Sequence, residues 1–148
     1  MAAELRNRDV TLLIIAAAGD SGLTPIQVMK SAFVIGRSGL PDLPTDFYPF
    51  FAYNYGPFHP AVYRDTEELV SEKLVFEVAQ AGRKRPKYTI TATGLQYAET
   101  LKRQVASEFF EYTEAVVNWV KSLNFIQLLR AIYEKYPEMR ANSVFQEG

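Results

Sequence analysis

Two short segments, 74–79 and 87–91, constrain the fold of this 148-residue chain more than any other feature, because the residue pattern changes there from helical spacing to a period of two. Successive side chains of a strand point to opposite faces, so a period of two residues predicts a strand. The residues between the segments include Gly82 and Pro86, which are typical of a turn. The pattern therefore predicts a β-hairpin, and the amphipathic segment 60–73 before it predicts a helix.

The charges are distributed unevenly around this hairpin. The whole chain has 16 basic and 17 acidic side chains, a net charge of −1. Residues 80–93 have a net charge of +4, whereas residues 59–79 have −3. The four cations of the first segment are Arg83, Lys84, Arg85 and Lys87. Basic residues are common in solvated turns, but a helix followed by a strand, a basic turn and a strand is the order expected of a winged helix. Its wing would contact DNA phosphates or enter a minor groove.

The first third of the chain predicts two further helices. Residues 9–18 are almost entirely apolar and predict a buried helix that ends at Gly19. Thr24, with Pro25 after it and Gln27 three positions on, is a capping-box start for an amphipathic helix. Two helices joined by a tight turn are typical of a helix-turn-helix entry.

The helix over residues 60–73 is the expected recognition helix. Its inner stripe consists of Val62, Thr66, Leu69, Val70 and Lys73. Arg64, Glu67 and Glu68 lie opposite that stripe, and the two carboxylates would repel a polyanion. We therefore keep a basic protein partner beside DNA as an alternative. The candidate DNA-binding residues are Thr24, Gln27, Lys30, Arg64, Arg83, Lys84, Arg85 and Lys87.

The middle of the chain is aromatic but carries no cation. Residues 37–46 predict a loop, and residues 47–55 predict an extended segment that ends in a turn at Gly56 and Pro57. Platforms that stack single-stranded nucleic acid interleave aromatic and basic residues. No lysine or arginine lies within residues 47–58, so a core or a subunit interface is the better interpretation.

The last third predicts one long helix that starts at Thr93 and continues to about residue 123, followed by a helix over residues 125–136 that Pro137 ends. The apolar stripe of the long helix is wide for a small domain to cover, which favours a homodimer. The candidate interface residues are Phe109, Tyr112, Val116, Trp119 and Leu123. We thus expect a mainly helical α+β fold, with a winged helix-turn-helix domain over residues 1–92 and a helical extension over residues 93–148.

Catalytic and metal sites have little support in the sequence. The chain has no cysteine and a single histidine, His59, whereas zinc sites and nucleophilic triads need more than one such group. No glycine pattern matches a phosphate-binding loop, and His59 is expected to start a helix among aromatic rings. The apolar run 10–18 is shorter than the roughly 20 residues that span a bilayer. We expect a non-enzymatic, cytoplasmic protein without cofactor, metal or membrane contact.

Two motifs carry a resemblance to a known family. Residues 53–65 read YNYGPFHPAVYRD and residues 69–75 read LVSEKLV. They resemble the YGPF-type segment of YwgA-like predicted regulators and of the SocA-like (Panacea) antitoxin domain. Residues 88–94, YTITATG, resemble the strand-to-helix passage of winged-helix proteins. The resemblance implies a winged helix in a prokaryotic regulator, antitoxin or adaptor without catalysis, in which Gly56 and Pro57 form the turn.

Three functions follow from these patterns. The leading hypothesis is a dimeric winged-helix regulator of transcription that binds double-stranded DNA. The first alternative is an antitoxin or adaptor that binds a protein and not DNA, as the acidic face of residues 60–73 suggests. The second is a sensor in which aromatic residues between the winged domain and the C-terminal helices surround an apolar metabolite.

Overall fold

A computed structural model describes residues 5–144 and shows helices together with two small antiparallel sheets. The helices are α1 (Asn7–Ala17), α2 (Pro25–Gly36), α3 (Pro60–Ser71), α4 (Ala92–Lys102), α5 (Ser107–Lys121) and α6 (Phe125–Lys135). Short 3-10 turns cover Gly19–Ser21 and Pro137–Arg140. The strands are β1 (Phe51–Tyr53), β2 (Gly56–Phe58), β3 (Val75–Val78) and β4 (Lys87–Ile90). The expected mainly helical α+β class is confirmed.

Helix α1 lies at the centre of the fold. Residues 12–15 are completely buried, because α2, α3, α4, α5 and β4 all pack against this helix. An apolar helix without a polar face is stable only when neighbours cover it on every side. The prediction of a buried first helix is therefore confirmed, and helices from both ends of the chain share one core.

Arg8 ties the start of α1 to α3. Its guanidinium forms ion pairs with Glu68 and Glu72, and Nη2 donates a hydrogen bond of 2.9 Å to Glu72 Oε1. The Arg8 side chain is almost fully buried, whereas both carboxylates are about half exposed. The hydrogen bonds from Arg8 lower the pKa of Glu72. Glu68 thus serves the packing of α3 and is not a free charge on its outer face.

The predicted β-hairpin is present and has an additional partner. Strands β3 and β4 pair antiparallel, with Val75 opposite Ile90 and Val78 opposite Lys87. Leu23, just before α2, forms two backbone hydrogen bonds with Tyr88 of β4, at 3.0 and 2.7 Å. Strand β4 consequently lies between β3 and the residue that leads into α2, which fixes the hairpin relative to that helix.

The aromatic segment forms a second hairpin, and its turn is not where the sequence suggested. Gly56 and Pro57 are part of β2 and pair with Tyr53 and Ala52, so the predicted turn at these residues is wrong. Asn54 and Tyr55 make the connection instead. Gly56 has a φ of +90°, a conformation that favours glycine. This backbone angle explains why a glycine occupies the position although the turn is not centred on it.

The predicted long C-terminal helix is divided. It stops at Lys102, and α5 starts at Ser107, where the backbone N–H of Ala106 donates to Asp42 Oδ2 at 3.2 Å. The apolar spacing continues through the break because both helices pack on α1, so periodicity does not reveal it. The predicted start is also wrong, since Thr91 and not Thr93 caps α4 by accepting a hydrogen bond of 2.8 Å from the Gly94 N–H.

Lys73 departs from its predicted place in the inner stripe of the third helix. It lies beyond the end of α3, is exposed, and has a φ of +63°. A left-handed residue at this position turns the chain from the helix into β3. The prediction that Lys73 belongs to the inner stripe of this helix is therefore wrong.

Gly94 allows α4 to approach the end of α3 and the β-hairpin. A Cβ atom at this position would overlap the carbonyl oxygen of Leu74 and lie 2.7 Å from Ile90 Cδ1. Alanine has the higher helix propensity, by about 1 kcal/mol. Replacing Gly94 by alanine would therefore stabilise the helix if the Cβ atom had room, and destabilises the protein only because of the close approach. The direction of the stability change on this substitution thus tests the packing.

We expect Gly94→Ala to lower the free energy of unfolding by about 2–3 kcal/mol, because backbone must move to relieve the overlap. Urea unfolding followed by circular dichroism measures the change. The exposed neighbour Thr93→Ala serves as the control, with an expected change of less than about 0.5 kcal/mol. A Gly94→Ala protein as stable as the wild type would contradict this packing.

Candidate functional site

The turn between β3 and β4, residues 79–86, separates two concave surfaces, and we call it the basic turn. The first surface, the α2–α6 groove, has a volume of about 760 Å³. It is lined by residues 24–27, by residues 80 and 82–85 of the basic turn, and by residues 123–125 and 128. The second, the α3 groove, has a volume of about 670 Å³ and is lined mainly by residues of α3 and the hairpin.

The first wall of the α2–α6 groove is the start of α2. Thr24 Oγ1 accepts a hydrogen bond of 3.2 Å from the Gln27 N–H, and Gln27 Oε1 accepts one of 2.9 Å from the Thr24 N–H. The predicted capping box is confirmed. Pro25 has no N–H, so Ile26 holds the one first-turn donor that is left, and the aligned peptide dipoles give this end of the helix a partial positive charge.

The second wall is the start of α6, which has the same capping arrangement. Asn124 Oδ1 accepts from the Gln127 N–H at 2.8 Å, and Gln127 Oε1 accepts from the Asn124 N–H at 2.9 Å. This wall was not predicted from the sequence, although the spacing of Asn124 and Gln127 repeats that of Thr24 and Gln27. Two helix N-termini therefore line one groove, an arrangement that favours anions.

The third wall is the basic turn, which carries three exposed cations: Arg83, Lys84 and Arg85. Within residues 5–144 no ion pair joins any of them to a carboxylate. The turn is held by a hydrogen bond of 2.9 Å from Gln80 Nε2 to the Arg85 carbonyl oxygen. None of the described aspartate or glutamate residues lines this groove, so the charged side chains that the structure places there are all positive.

One side of the groove is apolar. Phe125 is 39% exposed, and its ring packs edge-on against Tyr55 with the centroids 5.6 Å apart. Ile26, Leu123 and Leu128 extend this surface. The groove thus combines an anion-attracting wall with an apolar wall that includes an aromatic ring.

The α3 groove, on the other side of the basic turn, contains two carboxylates as well as Lys84 and Arg85 of the turn. Glu67 and Glu77 lie there beside Tyr63 and Tyr88. Desolvation, together with the charge of Glu67, raises the pKa of Glu77. Burial and the charge of Glu67 raise the pKa of Tyr88 to about 12, and the Tyr88 hydroxyl donates to Glu67 Oε1 at 3.4 Å. A phosphate that approached the turn from this side would meet two carboxylates.

The structure brings together five of the eight candidate DNA-binding residues: Thr24, Gln27, Arg83, Lys84 and Arg85. Lys87 lies beside them on β4, with Nζ 3.4 Å from the Ser21 carbonyl oxygen. Arg64 is exposed on α3 but lines neither groove. The α3 residues that line the groove beside the basic turn are Tyr63 and Glu67, and not Arg64.

Lys30 does not belong to this surface. Its side chain is buried, with 3% of the residue exposed, and Nζ donates a hydrogen bond of 3.1 Å to the Pro57 carbonyl oxygen. Lys30 was expected to contact DNA, but the second hairpin covers its side chain. Lys30 therefore connects α2 to β2 and is removed from the candidate DNA-binding residues.

Some of the candidate dimer residues are buried in the core and others are accessible at the surface. Phe109 and Val116 are buried within this chain and offer no surface to a second copy. Trp119 is 38% exposed, and Tyr112 and Leu123 are half-buried. Leu123 lines the α2–α6 groove. The inner part of the apolar stripe of α5 packs in the core that this helix shares with α1 and α2.

His59 has a structural environment. Its Nδ1 accepts a hydrogen bond of 3.1 Å from the Ala61 N–H and so caps α3. Its ring lies near those of Tyr48 and Phe51, at centroid distances of 6.3 and 6.1 Å. The predicted position of the histidine at a helix start among aromatic rings is confirmed. Across the described range, no group of three or more His, Cys, Asp or Glu side chains could hold a metal ion.

Burial lowers the pKa of Lys30 to about 8, from an ordinary value of 10.5. Between these two pH values the unfolded chain binds more protons than the folded one, so the free energy of unfolding rises with pH. Below about pH 8 the full cost of the buried charge remains. We expect the wild type to gain about 2 kcal/mol between pH 7 and 9.5 from this residue.

Lys30→Met keeps the length of the side chain and removes the charge. The free energy of unfolding of this variant should therefore not rise by this amount between pH 7 and 9.5. Urea unfolding of both proteins at several pH values from 7 to 9.5 measures the difference. Parallel pH profiles would show that Lys30 is charged or neutral to the same degree in the folded and unfolded chains.

Comparison with known proteins finds no match among family models, curated proteins or solved structures. Within residues 5–144, no helix is long and apolar enough to cross a membrane.

Proposed function

We propose that this chain is a winged-helix regulator of transcription that holds the phosphate backbone of double-stranded DNA at the α2–α6 groove. The observation that carries the proposal is the convergence of three cations and two helix N-termini on one groove; among residues 5–144 no carboxylate pairs with these cations or lines the groove. Phosphates attract both kinds of group, and each phosphate that a cation neutralises releases counterions.

The order of the elements supports a winged helix. Helix α1 is followed by Leu23, which pairs with β4, and then by α2, α3 and the β3–β4 hairpin. The basic turn takes the place of the wing. Residues 37–59 form an insertion between α2 and α3 that carries the second hairpin. This assignment agrees with the resemblance of residues 53–65 and 88–94 to YwgA-like and SocA-like proteins.

The charges favour contact with the DNA backbone over reading of bases by α3. Glu67 and Glu77 lie on the α3 side of the basic turn, where they would repel phosphates. Arg64 does not line that surface. We therefore expect binding that depends strongly on salt and less on direct contacts to base edges.

A homodimer fits this function, because it would present two basic turns to one duplex. The half-exposed part of α5, including Tyr112 and Trp119, is the surface that we assign to the contact. Phe109 and Val116 take no part, since they are buried in the chain itself.

We expect Arg83→Ala, Lys84→Ala and Arg85→Ala combined to weaken binding to a mixed-sequence duplex by at least about tenfold at about 100 mM salt, because three phosphate contacts are lost. The slope of log affinity against log salt concentration should fall by as much as about 2.7, since each contact contributes about 0.9. Fluorescence anisotropy with a labelled duplex measures both quantities.

The matched control removes three exposed cations that do not line the groove: Arg103→Ala, Lys135→Ala and Arg140→Ala. It changes the net charge equally, so a similar loss in both variants would indicate a general charge effect. Unchanged affinity in the basic-turn variant would contradict the proposal.

A protein-binding module of antitoxin or adaptor type is the second candidate. The observation that favours it is the exposed pair Glu67 and Glu77 beside α3, which suits a basic protein surface. We expect such a partner, recovered in stoichiometric amount by affinity purification, to be lost with Glu67→Gln and Glu77→Gln combined and retained by the control Glu111→Gln and Glu114→Gln. Failure to bind any duplex at low salt would favour this candidate over the first.

A further inference from the structure

We propose that the α2–α6 groove is also a binding site for a nucleoside monophosphate, an organic phosphate with a planar aromatic base, which competes with DNA for the basic turn. The binding of the nucleotide depends only on the groove. The competition rests on the proposed function, since it needs the same cations to hold the duplex.

The phosphate is expected at the basic turn. Arg83 and Arg85 can each offer two parallel N–H donors to phosphate oxygens, and Lys84 adds a third charge. The N-termini of α2 and α6 contribute partial positive charge from the other walls. A dianionic phosphate matches this set better than a carboxylate, which has one charge and fewer oxygens.

The base is expected at the apolar wall. Phe125 presents a partly exposed ring, and Tyr55 holds that ring from its edge. Stacking on an aromatic side chain suits every nucleobase, because each has a flat π surface. Ile26, Leu123 and Leu128 would cover the remaining apolar edge.

Two amide groups supply polar contacts between these ends. The capping boxes use Gln27 Oε1 and Asn124 Oδ1, whereas Gln27 Nε2 and Asn124 Nδ2 have no hydrogen-bond partner among the described residues. Each NH₂ group can donate to a ring nitrogen or an exocyclic oxygen of a base. The groove volume of about 760 Å³ lies within the range of small-molecule sites, so one nucleotide fits it.

A nucleotide could reach this groove free in solution or as part of an unpaired strand. The bases of a duplex are stacked on one another and cannot lie against Phe125. Among the described residues, the basic side chains that line the groove all come from the basic turn, whereas proteins that bind single strands extend their positive charge along several nucleotides. The groove therefore favours the free nucleotide.

Isothermal titration calorimetry tests the site with adenosine 5′-monophosphate, adenosine and inorganic phosphate as separate probes. We expect the monophosphate to bind at least about tenfold more tightly than either fragment, because only it contacts both walls. Phe125→Ala should weaken this binding by about tenfold. The control Phe76→Ala, at a residue that is 57% exposed outside the groove, should leave it unchanged.

Duplex binding separates this inference from the proposed function. Phe125→Ala should leave duplex affinity within about twofold, because phosphates do not stack. The monophosphate should raise the apparent Kd of the wild type for the duplex. If duplex binds and the monophosphate does not, the nucleotide site is overturned and the proposed function stands.

Two further results test the competition with DNA and the identity of the occupant. If the monophosphate binds and no duplex does, the site is supported and the competition is overturned. If an unpaired oligothymidine binds more tightly than the free nucleotide and loses affinity with Phe125→Ala, the free nucleotide is overturned as the occupant. Equal binding of the monophosphate and inorganic phosphate would overturn the role of the aromatic wall.

Discussion

The complete burial of α1 is the constraint on which the rest of the structure depends. Residues 12–15 have no exposed surface, so every neighbouring element must cover some part of this helix. Arg8 adds a directional contact at one end, where its guanidinium orients α3 through Glu68 and Glu72. Because α2, α3 and β4 pack on the same helix, the position of the basic turn relative to both grooves is fixed by the core.

The basic turn has opposite surroundings on its two sides. Lys84 and Arg85 contribute to both grooves, but the walls that face them differ in charge. The α3 groove offers Glu67 and Glu77, whereas the α2–α6 groove offers two helix N-termini and no carboxylate. An anion is therefore attracted more strongly from the α2–α6 side, because Glu67 and Glu77 offset the cations on the other side. The near-neutral net charge of the chain conceals this local separation.

Sequence patterns were most informative where a feature depends on residues close together in the chain. The capping box at Thr24, the hairpin around the basic turn and the helix start at His59 were predicted and are present. The break between α4 and α5 was missed because both helices keep their apolar spacing against α1. The burial of Lys30 was missed because the hairpin that covers it lies more than 20 residues away in sequence.

The sequence by itself determined the mainly helical α+β class, the buried first helix and the concentration of cations between β3 and β4, since each follows from local composition, period or capping chemistry. Only the tertiary structure decided which surfaces those cations line. It places the start of α6 opposite the start of α2, 100 residues apart, and puts Glu67 of α3 and Glu77 of β3 on the other side of the turn. Packing against α1 brings these distant segments together, and no local pattern encodes that arrangement.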